Sequence, residues 1–318
     1  MAAERISVVM PCHDVSAFVG EAVRSTLAQD WPDLELVAVD DGSTDGTGDL
    51  LDRLAAEWTA PGRRMIVHRQ ENAGAAAARN AGLARVTGGL VAFLDADDRS
   101  DRGHLGAMAR ALQGDASLDG AFTLYRYVDE AGRVTGEEPP PGRVRFGPED
   151  LMTRMMVHSP MVRAAAARAA GPVDETLTAC IDLDFLVRVA ALRPANLGLV
   201  PEVLSDYRRR PGQITQDWRR MERSWTRVHE KLAACGRGLD RRAYDRARAR
   251  SCLWWATLAY EAGEHSAARR LVAETWRRDP RFAATDGHAV VRTLATIAAL
   301  LPPRWHEAIR TRFNARMG

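Results

Sequence analysis

Lysine is almost missing from this 318-residue chain. Lys231 is the only one, so arginine carries nearly all of the 44 positive charges. Against 42 Asp and Glu the formal balance is only +2, too mild to point to a nucleic-acid partner, which needs a strong basic patch. Cysteine is sparse as well. Cys12, Cys180, Cys235 and Cys252 include no CxxC pair and no histidine at zinc-finger spacing. That excludes those metal and redox motifs and predicts reduced, mostly buried thiols in a cytoplasmic protein. The opening Met-Ala-Ala-Glu-Arg lacks basic-then-apolar character, and no signal peptide is expected. The longest apolar tract, 289–301, is interrupted by Arg292 and is too short to span a bilayer. What remains is 46% hydrophobic and 27% charged, the composition of an ordinary soluble protein. Its length suits one large domain or two smaller ones.

The first hundred residues alternate between two periods. Ile6–Met10 is a β-branched run ending at Pro11, followed by helical spacing of Phe18, Val19, Ala22, Val23, Thr26 and Leu27 from about Ser16. Leu34–Val39 is a second strand that runs into Asp40-Asp41-Gly42-Ser43-Thr44-Asp45-Gly46, a turn that caps a helix over 47–58. Met65–His68 is a third strand, and an alanine-rich helix covers 73–85. Leu90–Leu94 is the fourth strand and ends in Asp95-Ala96-Asp97-Asp98. The order β-α-β-α-β-α-β predicts an α/β fold with a mostly parallel sheet flanked by helices. Parallel strands bring both acidic tips to one edge, where open α/β sheets bind ligands. Neighbouring carboxylates repel unless a cation or a proton holds them. The tip at 95–98 is therefore either a divalent-metal site for a phosphorylated ligand or a solvated acidic loop, and convergence with Asp41 favours the site.

Beyond this, the pattern predicts a helix at 102–112, a strand at 120–128 and a hairpin partner at 133–135. A rigid proline loop at 137–142 precedes a short helix at 149–157 and an extended piece at 158–162. A turn at 171–175 leads to a helix at 182–192. From about Gln213 strand signals stop, and helices are expected at 217–235, 240–262, 266–278, 287–300 and 303–316. A boundary at Pro211-Gly212, near 212–216, gives domains 1–214 and 215–318.

This ordered set resembles the family-2 glycosyltransferases of the GT-A fold, over about residues 5–216. The carriers are Ile6–Asp14, then Val39-Asp40-Asp41-Gly42-Ser43-Thr44-Asp45. Asn72-x-Gly74, Ala78-Arg79-Asn80-x-Gly82 and Phe93-Leu94-Asp95-Ala96-Asp97-Asp98 follow as the approach to a DxD motif. Gly171-Pro172-Val173-Asp174-Glu175, Asp182-x-Asp184-Phe185-x-x-x-Arg188 and Tyr207-Arg208-x-Arg210-Pro211-Gly212 match more loosely.

The resemblance implies an inverting, metal-dependent transfer of a hexosyl or related group from a nucleoside-diphosphate sugar, UDP-linked, to an acceptor nucleophile. The acceptor classes left open are glycan, lipid, peptide and natural product. Asp97 would ligate Mn2+ or Mg2+, with Asp95 nearby for the ribose or a metal-bound water. Pro11, His13, Asp14, Asp41, Arg79, Asp95, Ala96, Arg208 and Arg210 would form the donor site. Asp41 would accept from the base, and Arg208 and Arg210 would lie on a flexible loop that closes on the diphosphate. Asp182 would be the general base. Each residue also has a plainer reading. Asp98 would cap the next helix, Asp182 its own helix, and Asp184 would pair with Arg188 at i,i+4. Arg79 would be a surface arginine. Asp40 is read as structural, and His68, His104 and His158 as structural or exposed.

The chain departs from the family pattern in four places. His13 stands where a base-stacking aromatic is common and Asp14 where Asn is common. Ile181 replaces a Glu, and Arg210 replaces a His; arginine cannot ligate a cation but can neutralise phosphate. A sugar-nucleotide pyrophosphorylase would want a Gly-rich, basic first loop, which Pro11-Cys12-His13-Asp14 is not. A non-catalytic scaffold on a degenerate transferase domain is the remaining alternative. In the tail, residues 253–282 resemble one tetratricopeptide-type helix pair, which cannot bury its own face alone. That suggests packing on the catalytic domain, on neighbouring helices, or on a second subunit in a homodimer. The apolar-then-basic stretch with Arg304, Arg310, Arg312 and Arg316 suggests peripheral contact with the inner face of a membrane or, more plainly, a solvated helix.

Overall fold

The computed structural model describes residues 4–58, 60–154, 157–285 and 287. The chain divides into two compact units, one of Met1–Leu151 and Met155–Pro211, the other of Met152–Arg154 and Gly212–Gly318.

In the first unit, β1 (Ile6–Cys12) lies between β2 (Leu34–Asp41) and β4 (Leu90–Phe93), with β3 (Arg63–Gln70) beyond β2. All four are parallel. Parallel neighbours need crossovers, supplied here by α1 (Val19–Leu27), α2 (Thr47–Glu57) and α3 (Ala75–Leu83). Every residue of β2 is buried, because helices cover both faces of the sheet. Leu36 and Ala38 join Ile6, Val8 and Met10 in the larger core, whereas Val37 and Val39 point the other way and meet Ala78 of α3. Gly82 lets α3 lie close: a Cβ there would fall 2.5 Å from Val9 Cγ1.

The second half of the sheet adds short antiparallel strands. The short β9 (Met161–Arg163) runs antiparallel to both β4 and β6 (Gly120–Val128). β6 is in turn parallel to β10 (Leu197–Arg208). The short strands β5 (Arg99–Ser100) and β8 (Arg145–Phe146) pair antiparallel with β10, and β7 (Val134–Glu137) is the hairpin partner of β6. The spatial order is β3-β2-β1-β4-β9-β6-β10-β5, a mixed sheet of 10 strands. Two reversals through β9 restore direction, so β1, β2, β4, β6 and β10 all end at the same edge. The remaining helices are α4 (His104–Gly114), α5 (Pro148–Arg154), α6 (Ala164–Ala170) and α7 (Ile181–Ala190). β10 went unread in the sequence because register shifts between Val200 and Ser205 break its alternation.

The second unit holds α8 (Trp218–Ala234), α9 (Arg241–Glu261), α10 (His265–Arg278) and α11 (Pro280–Thr285). Trp225 and Trp255 are fully buried, and Arg248 lies over both rings. Its guanidinium bonds Glu222 Oε1 at 2.5 Å and Glu274 Oε1 at 3.1 Å. Asp279 caps α11 by accepting from Phe282 N at 3.0 Å, so Asp279-Pro280 starts another helix as it closes the α9–α10 pair. The helices expected at 287–300 and 303–316, and the basic stretch tied to membrane contact, lie outside the described residues. No helix among the described residues is long and apolar enough to cross a membrane. All four cysteines are free thiols, but only Cys12 and Cys252 are buried, and Cys235 is exposed.

Candidate active site

Three strand ends build the site. The registers Cys12↔Asp40 and Val9↔Phe93 place the acidic tips of β2 and β4 on one edge, either side of β1. Beyond β2, Gly42 sits at φ 69°, where a Cβ would fall 2.7 Å from Asn72 N, so glycine is needed for this turn. Asp40 accepts from Ser43 N at 3.1 Å, a structural bond within the turn. The Asp41 carboxylate accepts from Gln70 Nε2 at 2.8 Å, Ala73 N at 2.9 Å and Gly74 N at 2.8 Å. A carboxylate has about four acceptor positions, so one remains for a ligand N–H.

His13 Nδ1 lies 2.9 Å from Asp41 O and therefore carries the ring proton, leaving Nε2 to accept from Asn72 Nδ2 at 3.1 Å. The ring is thus fixed while 44% of the side chain is exposed. Asp14, at φ 47°, accepts from Thr44 N at 2.8 Å and ties the β1 tip to the β2 turn. Pro11 lies within β1 opposite Val39. The Ala96 side chain belongs to the core.

Arg79 of α3 is the hub. Its Nη2 donates to Asp95 Oδ1 at 2.7 Å, and its Nε is 3.1 Å from Asp182 Oδ1. Only 7% of the side chain is exposed, so it is not a surface arginine. Its charge is met by two carboxylates, as a buried charge requires. The next residue, Asn80, belongs to the quoted motif but has no individual role in the sequence. Its amide donates to Val173 O at 2.9 Å and Glu175 Oε1 at 2.7 Å and accepts from Val173 N at 2.8 Å. That clamps the turn leading to α7. One turn of α3 thus places both the arginine that meets Asp182 and the segment that carries it. Asp182 is the second residue of α7, whose cap is Cys180, and 46% of its side chain is exposed. Asp184 is buried in an ion pair with Arg188 at 2.9 Å.

At the end of β4, desolvation pushes the Asp95 carboxyl up to about 6. Arg79 opposes the shift, and Asp182 and Asp97 add repulsion. Since 40% of the side chain meets solvent, screening tempers the effect and its direction is what counts. Asp97 Oδ2 accepts from Arg210 Nε at 2.7 Å. Asp98 turns inward: Oδ1 accepts from Arg208 N at 2.7 Å, and Oδ2 is 3.5 Å from His158 Nε2. Burial, then repulsion from Asp97 and Asp95, pushes Asp98 well above the usual carboxylate range, and burial pushes His158 down to about 4. Asp98 thereby ties the turn to the end of β10 and to His158.

Arg208 does not lie on a flexible loop, contrary to expectation. It is the last residue of β10 and is 1% exposed. Its guanidinium donates to Asp97 O at 2.7 Å, Glu130 O at 2.8 Å and Glu21 Oε2 at 2.6 Å, so it props the acidic turn from behind. Asn80 stood in the sequence only as part of a motif, His158 only as structural or exposed and Glu21 not at all, because their partners stand tens of residues away in the chain.

No group of three His, Cys, Asp or Glu side chains among the described residues can hold a metal ion by itself. The donors present still suit Mg2+ or Mn2+, which take one or two carboxylates and complete their shell with substrate phosphates and water. Asp97 and Asp95 are carboxylates at an edge, each held by a guanidinium counter-charge.

A family model described as glycosyl transferase family 2 matches residues 7–162. TuaG of Bacillus subtilis (strain 168), a glycosyltransferase assigned by name to teichuronic acid biosynthesis, is 35% identical over 127 residues, 40% of this chain and 49% of its own. The chain spans about half or less of the curated relatives it matches. Among solved structures, mannosyltransferase PcManGT from Pyrobaculum calidifontis, in complex with GDP-Man and Mn2+, superposes with a TM-score of 0.61. It is 19% identical, over 98% of this chain and 86% of its own. S. aureus TarS in complex with UDP-GlcNAc gives 0.55 at 14% identity, over 98% and 83%. These two likenesses speak for the fold, which is GT-A. With its motifs at the strand ends of that fold, the segment 7–162 matches glycosyl transferase family 2.

Proposed function

We propose that the protein moves a sugar from a nucleoside-diphosphate sugar, UDP-linked, to an acceptor hydroxyl with inversion at the anomeric carbon, using Mn2+ or Mg2+. The observation that carries this reading is the convergence of Asp95, Asp97 and Asp182 from two distant segments around Arg79 and Arg210. Asp97, with Asp95 beside it, would hold the cation, which when bound supplies positive charge against the leaving diphosphate. His13 offers an exposed, fixed ring for the base, and Asp41 one remaining acceptor position for its N–H. Asp182 takes the proton from the acceptor hydroxyl. It is half-exposed, so an acceptor can reach it, and Arg79 fixes its orientation. A single base suffices for inverting transfer.

The test is donor hydrolysis and transfer across a panel of nucleotide sugars, with wild type and Asp182→Asn. The expected result is a loss of about 10³-fold in turnover, with UDP affinity in Mn2+ nearly unchanged. Normal turnover in the variant removes Asp182 from the mechanism, and no donor consumed by the wild type favours the scaffold alternative.

A further inference from the structure

Two guanidiniums hold the carboxylates at the strand ends, and they are held differently. Arg79 is 7% exposed and meets Asp95 and Asp182 together. Withdrawing it would strand buried charge, so it stays. Arg210 has 28% of its side chain exposed, pairs with Asp97 Oδ2 at 2.7 Å and leans on the Phe18 ring, 5.8 Å from its centroid. It stands two residues past the end of β10, before Pro211 and Gly212. Gly212 has φ 80°, and among the described residues nothing lies within 4 Å of a Cβ built there. The chain passes from one unit to the other at this point. Of the two guanidiniums, Arg210 is the more exposed.

We propose that Arg210 is a stand-in for the cation: it holds Asp97 until metal and nucleoside diphosphate arrive together, then releases Asp97 and pairs with the diphosphate. This rests on the donor and metal reading above. A guanidinium cannot ligate a metal, and it repels a divalent cation sharing the same carboxylate. Charge favours joint arrival. Asp95, Asp97 and Asp182 against Arg79 and Arg210 leave one net negative charge. A divalent cation alone turns that into one net positive charge, and the dianionic diphosphate of a nucleotide sugar alone into three negative ones. Both together restore the starting balance. The released guanidinium finds in the diphosphate an acceptor suited to its forked donors.

The experiment is calorimetric titration of Mn2+ alone, and of UDP in saturating Mn2+, into wild type, Arg210→Gln, Arg210→Lys and Asp97→Asn. Arg210→Gln is expected to bind Mn2+ alone about fivefold more tightly and UDP about fivefold more weakly, with Arg210→Lys close to wild type for Mn2+ and between the two for UDP, since it keeps the charge and loses the fork. The inference is overturned if Arg210→Gln binds Mn2+ alone no better than wild type, or if its UDP affinity is unchanged. If the wild type binds no UDP in Mn2+, or Asp97→Asn binds Mn2+ as well as wild type, the donor and metal reading itself fails and takes the role of Arg210 with it.

Discussion

His104 opens α4 with 1% of its surface exposed, and neither ring nitrogen meets a hydrogen-bond partner among the described residues. Desolvation, then the nearby His158, pushes its pKa down to about 3. The sign follows from linkage: below its ordinary 6.5 the unfolded chain takes up a proton that the native state refuses. Stability conferred by the neutral ring is complete above 6.5 and is lost as pH falls toward 3. Between pH 6.5 and 5 the loss is about 2 kcal/mol. Urea unfolding at those two pH values should show this drop in wild type and a flatter dependence in His104→Leu. Equal slopes would mean that the native imidazole is already charged.

The sequence marked most acids of the site at this scale, because Asp41, Asp95 and Asp97 follow apolar runs that can only be strands. What it left open was direction. Asp98 stands next to Asp97 yet points into the protein, and Arg208 stands two residues from Arg210 yet is buried. Arg208 is the last residue of β10 and Arg210 lies beyond its end, and that strand was not recognised.

At the scale of elements, α3 does more than bury Ala78. Asn80 ties it to the turn before α7 through three hydrogen bonds. Asn80→Ala should cost about 2 kcal/mol, taking roughly 1 kcal/mol per bond with partial recovery to water. It should lower turnover more than UDP affinity, since it loosens the segment carrying Asp182 and leaves the strand tips alone. Thermal unfolding and steady-state kinetics check both. A variant with weakened UDP binding and intact turnover would place Asn80 elsewhere in the account.

In the second unit, Arg248 holds Glu222 and Glu274 together beneath two tryptophans. Arg248→Met strips both carboxylates of that partner in a largely buried place, and the unit should lose about 3–5 kcal/mol, seen as a lower calorimetric transition. An unshifted transition would show that these charges are already well solvated. The α8, α9 and α10 helices were legible because their apolar spacing is regular. The network that locks them was not, since Arg248 reads as one arginine among many.

At the scale of the molecule, a reversed strand is inserted in the sheet, and every longer strand that feeds the site still ends at one edge. The parallel half was readable from β-α alternation. The mixed half was not, because β5, β8 and β9 are two or three residues long and carry no period. The account stands on that edge being a metal-dependent nucleotide site. The most direct measurement is a calorimetric titration of UDP into the wild type at pH 7, once with Mn2+ and once with a chelator. Saturable binding that weakens by about tenfold or more when Mn2+ is withdrawn, equivalent to about 1.4 kcal/mol, is the result predicted. Equal affinity with and without the metal, or no binding in either, would contradict it.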